Sequence, residues 1–452
     1  MMAWLVVMIL YWPAGLSFGD DVGYLGEAKL ILAGRVLPRP DDVGFWVQTA
    51  HGWLPKYPLF VSLLMLPLVA VTPRAAFVVG MAAAIGLGWI GSRILKSWGS
   101  NPVWALLLIA HPTVVILART AMADVPLSVF ALGAWWALRQ HRRAATVLFL
   151  MALIATKATG FVLGFALALG DLLRLLPALC ARDRDAWARV RTIAAGLLAG
   201  FTLLFATNEI SAGGLWFAYD NTFLGTPPFW FTYFPKSAPA HLRTFLLLPP
   251  LLILGALPFW RRREWGPLCL IFGFGTMMCF YFFVDFGTTR LETLILAPRL
   301  VLPIVSFLLV GYADLLATLA RRFLRGERFT ALVLVAGTAA MVLVIDIRHR
   351  RWQAPMAEAL RAATDATRDL GVHELGLTPE AAKAGLLFSG PTSFVERSNP
   401  KTAVVLCTVR SASYREPSDG PYSCALPGYR SYRRVGDYDV LVRQPRTAAR
   451  TH

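Results

Sequence analysis

MMAWLVVMILYWPAGLSFGDD, residues 1–21, joins a charge-free apolar segment to two adjacent carboxylates. Residues 1–18 are just long enough to cross a bilayer, whose hydrocarbon core takes roughly 20 apolar residues. Asp20 and Asp21 then lie at the boundary between membrane and water. Because ionisable groups near the bilayer are costly to desolvate, they are usually kept there for a chemical purpose. The stretch therefore predicts a membrane protein with an acidic site that faces outward.

The composition extends this membrane character over most of the chain. Hydrophobic residues make up 56% of the 452 residues and charged residues only 16%, with a mean hydropathy of +0.56. A soluble protein of this length needs more polar surface than that. Apolar runs recur from residue 1 to about residue 346, each bounded by Arg, Pro, Gly or Asp. These runs predict an all-α polytopic membrane protein with about 11 to 13 transmembrane helices.

The net charge of +17 indicates membrane topology rather than a nucleic-acid partner. Most basic residues lie in short loops between apolar runs, and such loops mark the cytoplasmic side of a membrane protein. A nucleic-acid groove needs its basic residues on one soluble face instead. The clusters that we assign to the cytoplasmic side are 139–143, 182–191, 261–263 and 321–328. The basic run 348–351 then lies on the outer side, against this rule.

The number of segments before Asp124 is inconsistent with this topology. If 19–56 and Asp124 both face outward, an even number of crossings must separate them. Three apolar segments lie between them, at 57–72, 75–93 and 102–118. We therefore predict that one of the three is re-entrant or interfacial. The His111-Pro112 step makes the last of them a suitable candidate, because proline interrupts a helix.

Residues 347–452 differ from the rest of the chain, since they are charged, rich in turns and contain short strand-like runs. They predict a small α/β extracytoplasmic domain. It follows a transmembrane domain, 1–346, whose first outer loop is 19–56. Cys407 and Cys424 lie in this last region and could pair if it occupies an oxidising compartment.

Charged residues recur in four motifs that the topology places on the outer face. The motifs are GDDVGY at 19–24, PKYP at 55–58, ARTAMADVP at 118–126 and ATKATG at 155–160. A carboxylate in such a cluster can deprotonate an acceptor hydroxyl or amine. Lys and Arg can hold and stabilise a phosphate leaving group. The cluster predicts group transfer that requires no metal, although paired aspartates could bind a divalent cation.

These motifs resemble those of the GT-C integral-membrane glycosyltransferases. The branch concerned contains the protein O-mannosyltransferases and the lipid A aminoarabinose transferase. The resemblance rests on the acidic pair, the Lys56-Tyr57-Pro58 step, Arg119 with Asp124 and Pro126, Thr156-Lys157 with Gly160, and PRLVLP at 298–303. It covers about residues 1–320. It implies a helix bundle whose first outer loop carries the catalytic acid, and a sugar donor linked to polyprenyl phosphate.

The resemblance also assigns roles to individual residues. The expected catalytic residues are Asp20 as general base, with Asp21 and Asp124 as further acidic residues. The residues expected to bind the donor phosphate are Lys56, Arg119, Lys157 and Arg299. The implied partners are a polyprenyl-phosphate sugar, a lipid, glycan or protein acceptor, and membrane lipid, with no nucleic acid. The implied reaction is inverting transfer on the outer face of the cytoplasmic membrane.

Simpler interpretations stay open beside these roles. Asp20 and Asp21 would also suit the cap of a surface helix, and Lys56 would suit a membrane boundary. Asp124, two residues before a proline, resembles an ordinary helix start. For the whole chain, the main alternative is a transporter or flippase of a lipid-linked saccharide, although the sequence lacks the internal symmetry typical of transporters. A scaffold with a degenerate site is a third interpretation.

Overall fold

The computed structural model describes residues 6, 8–10, 12–49, 52–212, 229–281, 294–323, 327–396, 400–409 and 424–444, and therefore only part of the first apolar segment. Its α-helices are α1 (Gly19–Leu32), α2 (Phe60–Val69), α3 (Phe77–Ser97), α4 (Leu106–Ala110), α5 (Pro112–Leu117), α6 (Asp124–Arg139), α7 (Arg143–Thr156), α8 (Thr159–Cys180), α9 (Arg184–Ala212), α10 (Phe234–Leu247), α11 (Ala256–Arg261), α12 (Trp265–Cys269), α13 (Gly275–Met278), α14 (Leu302–Phe323), α15 (Glu327–Asp369) and α16 (Ala382–Gly385). The strands are β1 (Trp46–Thr49), β2 (Gly52–Pro55), β3 (Leu375–Leu377), β4 (Thr392–Phe394), β5 (Val404–Thr408), β6 (Tyr429–Val435) and β7 (Tyr438–Arg443). The predicted fold class, an all-α membrane bundle followed by a small α/β region, is confirmed.

Contacts between residues divide the chain into two compact units. The first unit comprises Met1–Leu10, Tyr57–Leu64 and Val78–Asp346. The second unit comprises Tyr11–Lys56, Met65–Phe77 and Ile347–His452. The predicted first outer loop, 19–56, thus groups with Ile347–His452, while α15 runs across the boundary between the two units. That 347–452 folds as a domain of its own stays a prediction.

Several helices have the length and composition of membrane spans. Among the described residues, four are long and apolar enough to cross: Pro73–Ser97, Thr159–Cys180, Arg184–Ser211 and Leu294–Phe323. Shorter apolar helices lie at Phe60–Val69, Arg143–Thr156, Leu252–Arg261 and Trp265–Met278. The total of about 11 to 13 spans stays a prediction from the hydropathy of the sequence.

The three apolar segments before Asp124 take different forms. The segment 75–93 lies within one continuous helix, whereas 102–118 is broken where His111 turns to an extended conformation (φ −61°, ψ 129°) before Pro112. The segment 57–72 contains only α2, whose 10 residues span about 15 Å. The segments 57–72 and 102–118 both lack a continuous helix long enough to cross, so which of the three segments does not cross stays a prediction.

Aromatic and glycine contacts pack the first unit. Trp135 of α6 contacts the rings of Trp98, Phe259 and Phe307, with centroid distances of 5.5 to 6.2 Å and edge-to-face geometry. Elsewhere α8 approaches the start of α12 so closely that a Cβ at Gly170 would clash with the backbone there. Small residues at such crossings are typical of helices that pack within a membrane.

Buried carboxylates at the basic ends of these helices are paired with arginines. Glu264 is 2% exposed, and its oxygens lie 2.7 Å from Nε of Arg139 and 3.7 Å from a guanidinium nitrogen of Arg174. Asp314 pairs with Arg262 at 3.0 Å. Because an unpaired buried charge is costly, these contacts tie the ends of neighbouring helices together.

The C-terminal part of the second unit contains a five-stranded sheet with the order β4-β3-β5-β7-β6. β3 runs parallel to β4 and β5, whereas β7 runs antiparallel to β5 and β6. The central strand β5 is buried along its whole length. Cys407 of β5 forms a disulfide with Cys424, with the two Cα atoms 5.8 Å apart. The Cys407–Cys424 disulfide, which the sequence predicted only for an oxidising compartment, is therefore present.

Candidate active site

The two carboxylates at the start of α1 have different structural roles. Asp21 is fully buried, and its Oδ2 accepts hydrogen bonds from the backbone N–H groups of Ser17 and Phe18, each at 2.9 Å. Asp21 is the third residue of α1, and its side chain reaches back to the N–H groups that precede the helix, whereas the simpler interpretation expected a cap in front of it. Asp20 is only half-buried. Of the two, Asp20 is the carboxylate that a substrate can reach.

The segment that leads into α1 is held by side chains of α15. Gln353 donates from Nε2 to the carbonyl oxygen of Gly15 at 2.6 Å and accepts the N–H of Ala14 on Oε1 at 3.0 Å. The hydroxyl of Ser17 is hydrogen-bonded to Nε2 of His349 at 2.9 Å. These contacts fix the backbone immediately before the acidic pair, and therefore the position from which Asp20 projects.

Lys383 adds a positive charge beside the acidic pair. Its carbonyl oxygen accepts the N–H of Leu16 at 3.1 Å, which brings the short helix α16 to the start of α1. Burial lowers the pKa of Lys383, while the negative charges of Asp21 and Asp20 act in the opposite direction and raise it. A neighbouring ammonium stabilises carboxylates in the charged form, which is the form a general base requires.

Lys29 of α1 fastens this helix to the C-terminal region of the same unit. Its Nζ donates to the carbonyl oxygens of Leu386, Phe388 and Gly390 at 3.1 to 3.4 Å, and to Oγ1 of Thr392 at 3.4 Å. Burial lowers the pKa of Lys29 to about 8. Four acceptors around one ammonium make this contact a main attachment point of α1.

Replacing Lys29 by methionine should destabilise the second unit. The substitution keeps the apolar stem but removes the donor from three carbonyl oxygens, so we expect the free energy of unfolding to fall by about 3 kcal/mol. Thermal unfolding of the purified protein, followed by tryptophan fluorescence, measures the change. Lys29→Arg, which keeps the charge and the donors, should lose less. A methionine variant as stable as the wild type would show that these contacts contribute nothing.

Lys56 follows the β1–β2 hairpin and belongs to the same unit as Asp20. Its side chain is half-buried, and Nζ lies 3.8 Å from the centroid of the Phe45 ring. This cation–π contact fixes the position of the ammonium.

Asp124, Lys157 and Arg299 meet within the first unit. Oδ1 of Asp124 lies 3.0 Å from Nζ of Lys157, and Oδ2 lies 3.7 Å from Nε of Arg299. Asp124 is 2% exposed and Arg299 8%. Asp124 is the first residue of α6, as the simpler interpretation expected, and its carboxylate also lies between two cations. Lys157 and Arg299 are thus brought to one carboxylate, and lysine and arginine are the side chains that bind phosphate groups.

Local backbone geometry explains the motif that presents Lys157. This residue ends α7 in an extended conformation (φ −159°, ψ 150°), between α7 and α8. The N–H of Gly160 then donates to the carbonyl oxygen of Lys157 at 2.7 Å. A Cβ at residue 160 would clash with the carbonyl oxygen of Leu153, so the turn requires glycine. The Thr-Lys-x-x-Gly spacing is thus the signature of a tight turn with the lysine at its start.

Arg119 lies in a closely packed turn before α6. It is 3% exposed, and its Nε lies 3.1 Å from the Sδ of Met8. The carbonyl oxygens of Ala118 and Thr120 leave no room for a Cβ at Gly80. The role of Arg119 in phosphate binding stays a prediction.

A divalent cation bound by the paired aspartates, Asp20 and Asp21, was expected only as an option. In the part of the chain that the structure describes, no group of three or more His, Cys, Asp and Glu side chains is placed to hold a metal ion. One oxygen of Asp21 is already engaged by two backbone N–H groups.

Three residues near the acidic pair were not predicted from the sequence, and all three lie in the second unit. Lys383, Gln353 and His349 all belong to the C-terminal region, which the resemblance did not cover. One feature of the sequence did point to His349. The run 348–351 was basic on the outer side, against the charge rule, and His349 within it contacts Ser17.

Comparison with known proteins identifies the fold. No family model matches the chain, and no curated protein matches it. It is similar to the crystal structure of ArnT from Cupriavidus metallidurans bound to undecaprenyl phosphate, with a TM-score of 0.61 and 12% identity over 97% of this chain and 96% of that chain. It is also similar to ArnT from Cupriavidus metallidurans in the apo state, with a TM-score of 0.59 and 13% identity over 97% and 96% of the two chains. The GT-C-like fold expected from the motifs is thereby confirmed.

Proposed function

We propose that this chain is a glycosyltransferase that moves a sugar from a polyprenyl-phosphate donor to a lipid, glycan or protein acceptor. The observation that carries the proposal is a GT-C-like fold over 97% of the chain, with the half-buried Asp20 at the start of α1. The similar ArnT was solved with undecaprenyl phosphate, which supports a polyprenyl phosphate as the lipid part of the donor.

Asp20 acts as the general base in this reaction. It takes the proton of an acceptor hydroxyl while the oxygen forms a bond to the anomeric carbon of the sugar. The bond between that carbon and the phosphate oxygen breaks, and its electron pair leaves with the polyprenyl phosphate. Attack from the face opposite the phosphate inverts the anomeric configuration.

The cations stabilise the phosphate as its charge increases. Lys56, Lys157 and Arg299 are the residues that we assign to this task. Lys157 and Arg299 are already oriented by their contacts with Asp124, and donors that are fixed before the reaction need no rearrangement during it. This gives Asp124 a positioning role beside the catalytic role expected from the sequence.

Transfer of labelled sugar tests the function. Membranes that contain the full chain are incubated with a panel of polyprenyl-phosphate sugars, each radiolabelled in the sugar, and membranes without the protein serve as control. We expect label to move from one donor to an acceptor fraction only when the protein is present. Label that crosses the bilayer while still attached to its lipid would contradict the proposal and indicate a transporter.

We place the protein in the cytoplasmic membrane with its active site facing outward. The disulfide of Cys407 and Cys424 supports an oxidising compartment for the second unit. The basic clusters at 139–143 and 182–191 support a cytoplasmic location for the helix ends that carry them.

Labelling of Cys180 tests this orientation. Cys180 is an exposed free cysteine at the end of α8, beside the basic loop 182–191, and should face the cytoplasm. With Cys269 and Cys279 replaced by alanine, Cys180 is the only free thiol. In sealed right-side-out vesicles, an impermeant maleimide should label it only after permeabilisation, and Cys180→Ala supplies the blank. Full labelling of sealed vesicles would reverse the assigned orientation.

A further inference from the structure

A cavity of about 420 Å³ opens in the first unit between the C-terminal ends of α3 and α6. Its walls include Trp89, Arg93 and Lys96 of α3, Trp136 of α6, and Gln140 and Arg142 just beyond α6. None of these residues belongs to the candidate active site. The cavity lining contains three cationic side chains and no carboxylate.

The two walls present side chains in the same order along their helices. On α3, Trp89, Arg93 and Lys96 are spaced by four and three residues, which puts them on one face. On the other wall, Trp136 precedes Gln140 by four residues. Each wall therefore has an indole on the side of the membrane interior and polar groups toward the helix end. This order matches a phospholipid, with an acyl chain beside the indoles and a headgroup beside the cations.

The charges favour an anion. Arg93, Lys96 and Arg142 are exposed, and the guanidinium of Arg93 is 5.5 Å from the centroid of the Trp89 ring, which orients it. The carbonyl ends of α3 and α6 carry partial negative charge and act against an anion. The attraction must therefore come from the three cationic side chains, and their removal should abolish it.

The cavity is distinct from the proposed donor site. Asp124 begins α6, and the cavity lies at the other end of that helix, whose 16 residues separate the two by about 24 Å. In the orientation proposed above, the cavity opens at the cytoplasmic leaflet, where anionic lipids attract basic side chains.

We propose that this cavity binds the phosphate headgroup of an anionic phospholipid, with one acyl chain along Trp89 and Trp136. The binding does not require glycosyl transfer, so it stands or fails separately from the proposed function. A water-soluble phosphate shares the headgroup chemistry but lacks the acyl chain, and should bind far more weakly.

Lipid binding to the purified, delipidated full chain tests the proposal by native mass spectrometry. We expect phosphatidylglycerol to be retained and phosphatidylcholine to be lost. The triple variant Arg93→Gln, Lys96→Gln, Arg142→Gln should bind phosphatidylglycerol on the order of a hundredfold more weakly. The control variant Arg184→Gln, Arg261→Gln, Arg322→Gln removes the same charge from exposed arginines outside the cavity, and should stay within about threefold of the wild type.

Three results would overturn the proposal. Equal losses in the two triple variants would indicate attraction to net charge alone. Equal retention of phosphatidylcholine would indicate a site without preference for anions, and displacement by an equal concentration of glycerol phosphate would indicate a water-soluble ligand. A single variant, Lys96→Gln, is measured as well. Thermal unfolding of every variant verifies that the fold is kept. Binding of phosphatidylglycerol by the single variant should fall about fivefold.

Discussion

Asp20→Asn should reduce sugar transfer by about a thousandfold, because loss of a general base typically costs between a hundredfold and ten-thousandfold in rate. The asparagine keeps the size of the side chain but cannot accept the acceptor's proton. Asp20 is half-buried and Asp21 accepts the N–H groups that precede α1, so we expect unchanged membrane levels and an unfolding temperature close to that of the wild type. The initial rate of labelled transfer, measured in membranes with equal amounts of each protein, gives the comparison.

Asp21→Asn is the matched control for this prediction. Its amide oxygen can still accept the N–H groups of Ser17 and Phe18 that precede α1. We expect a loss of about 1 kcal/mol in stability and a rate within about tenfold of the wild type. Full activity of the Asp20 variant beside an inactive Asp21 variant would contradict the assignment of the base.

Asp124→Ala should have the second large effect, chiefly on stability. The substitution leaves Lys157 and Arg299 beside each other without their shared carboxylate. Removing one partner from a buried ion pair typically costs about 3 to 5 kcal/mol. We therefore expect a marked fall in unfolding temperature and a rise in the KM for the donor. Asp124→Glu, which keeps the charge, should recover part of both.

A double substitution separates positioning from general damage. In Asp124→Ala with Lys157→Met, one of the two cations that contact Asp124 is also removed. The stability loss should then be smaller than the sum of the two single losses, because the residues interact directly. Added polyprenyl phosphate should raise the unfolding temperature of Asp124→Ala less than that of the wild type, because Lys157 and Arg299 are no longer held in place to bind its phosphate. Strictly additive losses would contradict the positioning role.

Local sequence patterns predicted much of the fold and part of the site. Charge-free runs bounded by basic loops indicated the helices, since membrane burial leaves a strong hydropathy signal. The turn at Lys157 was visible because it requires Gly160 at a fixed distance in sequence. The strand-like runs in the last region correspond to β5 and β7, whose alternation and apolar content are also local features.

Contacts between distant residues could not be predicted in this way. Gln353 contacts Ala14 across 339 positions, and Lys29 contacts Phe388 across 359. Both side chains bind backbone groups, which leave no side-chain pattern in the sequence. Which of the two adjacent aspartates accepts the N–H groups before α1 depends on the backbone angles of Phe18. The sequence does not show those angles. The sequence does not show that α2 has only 10 residues, because the apolar run continues past the end of the helix.

The central claim is covalent transfer of a sugar away from a polyprenyl phosphate. The most direct measurement uses the purified full chain in liposomes, with a donor that carries one label in the sugar and another in the lipid phosphate. We expect one free polyprenyl phosphate for each sugar transferred, an inverted anomeric configuration in the product, and neither with Asp20→Asn. Donor that crosses the bilayer with both labels still joined, and no free polyprenyl phosphate, would contradict it.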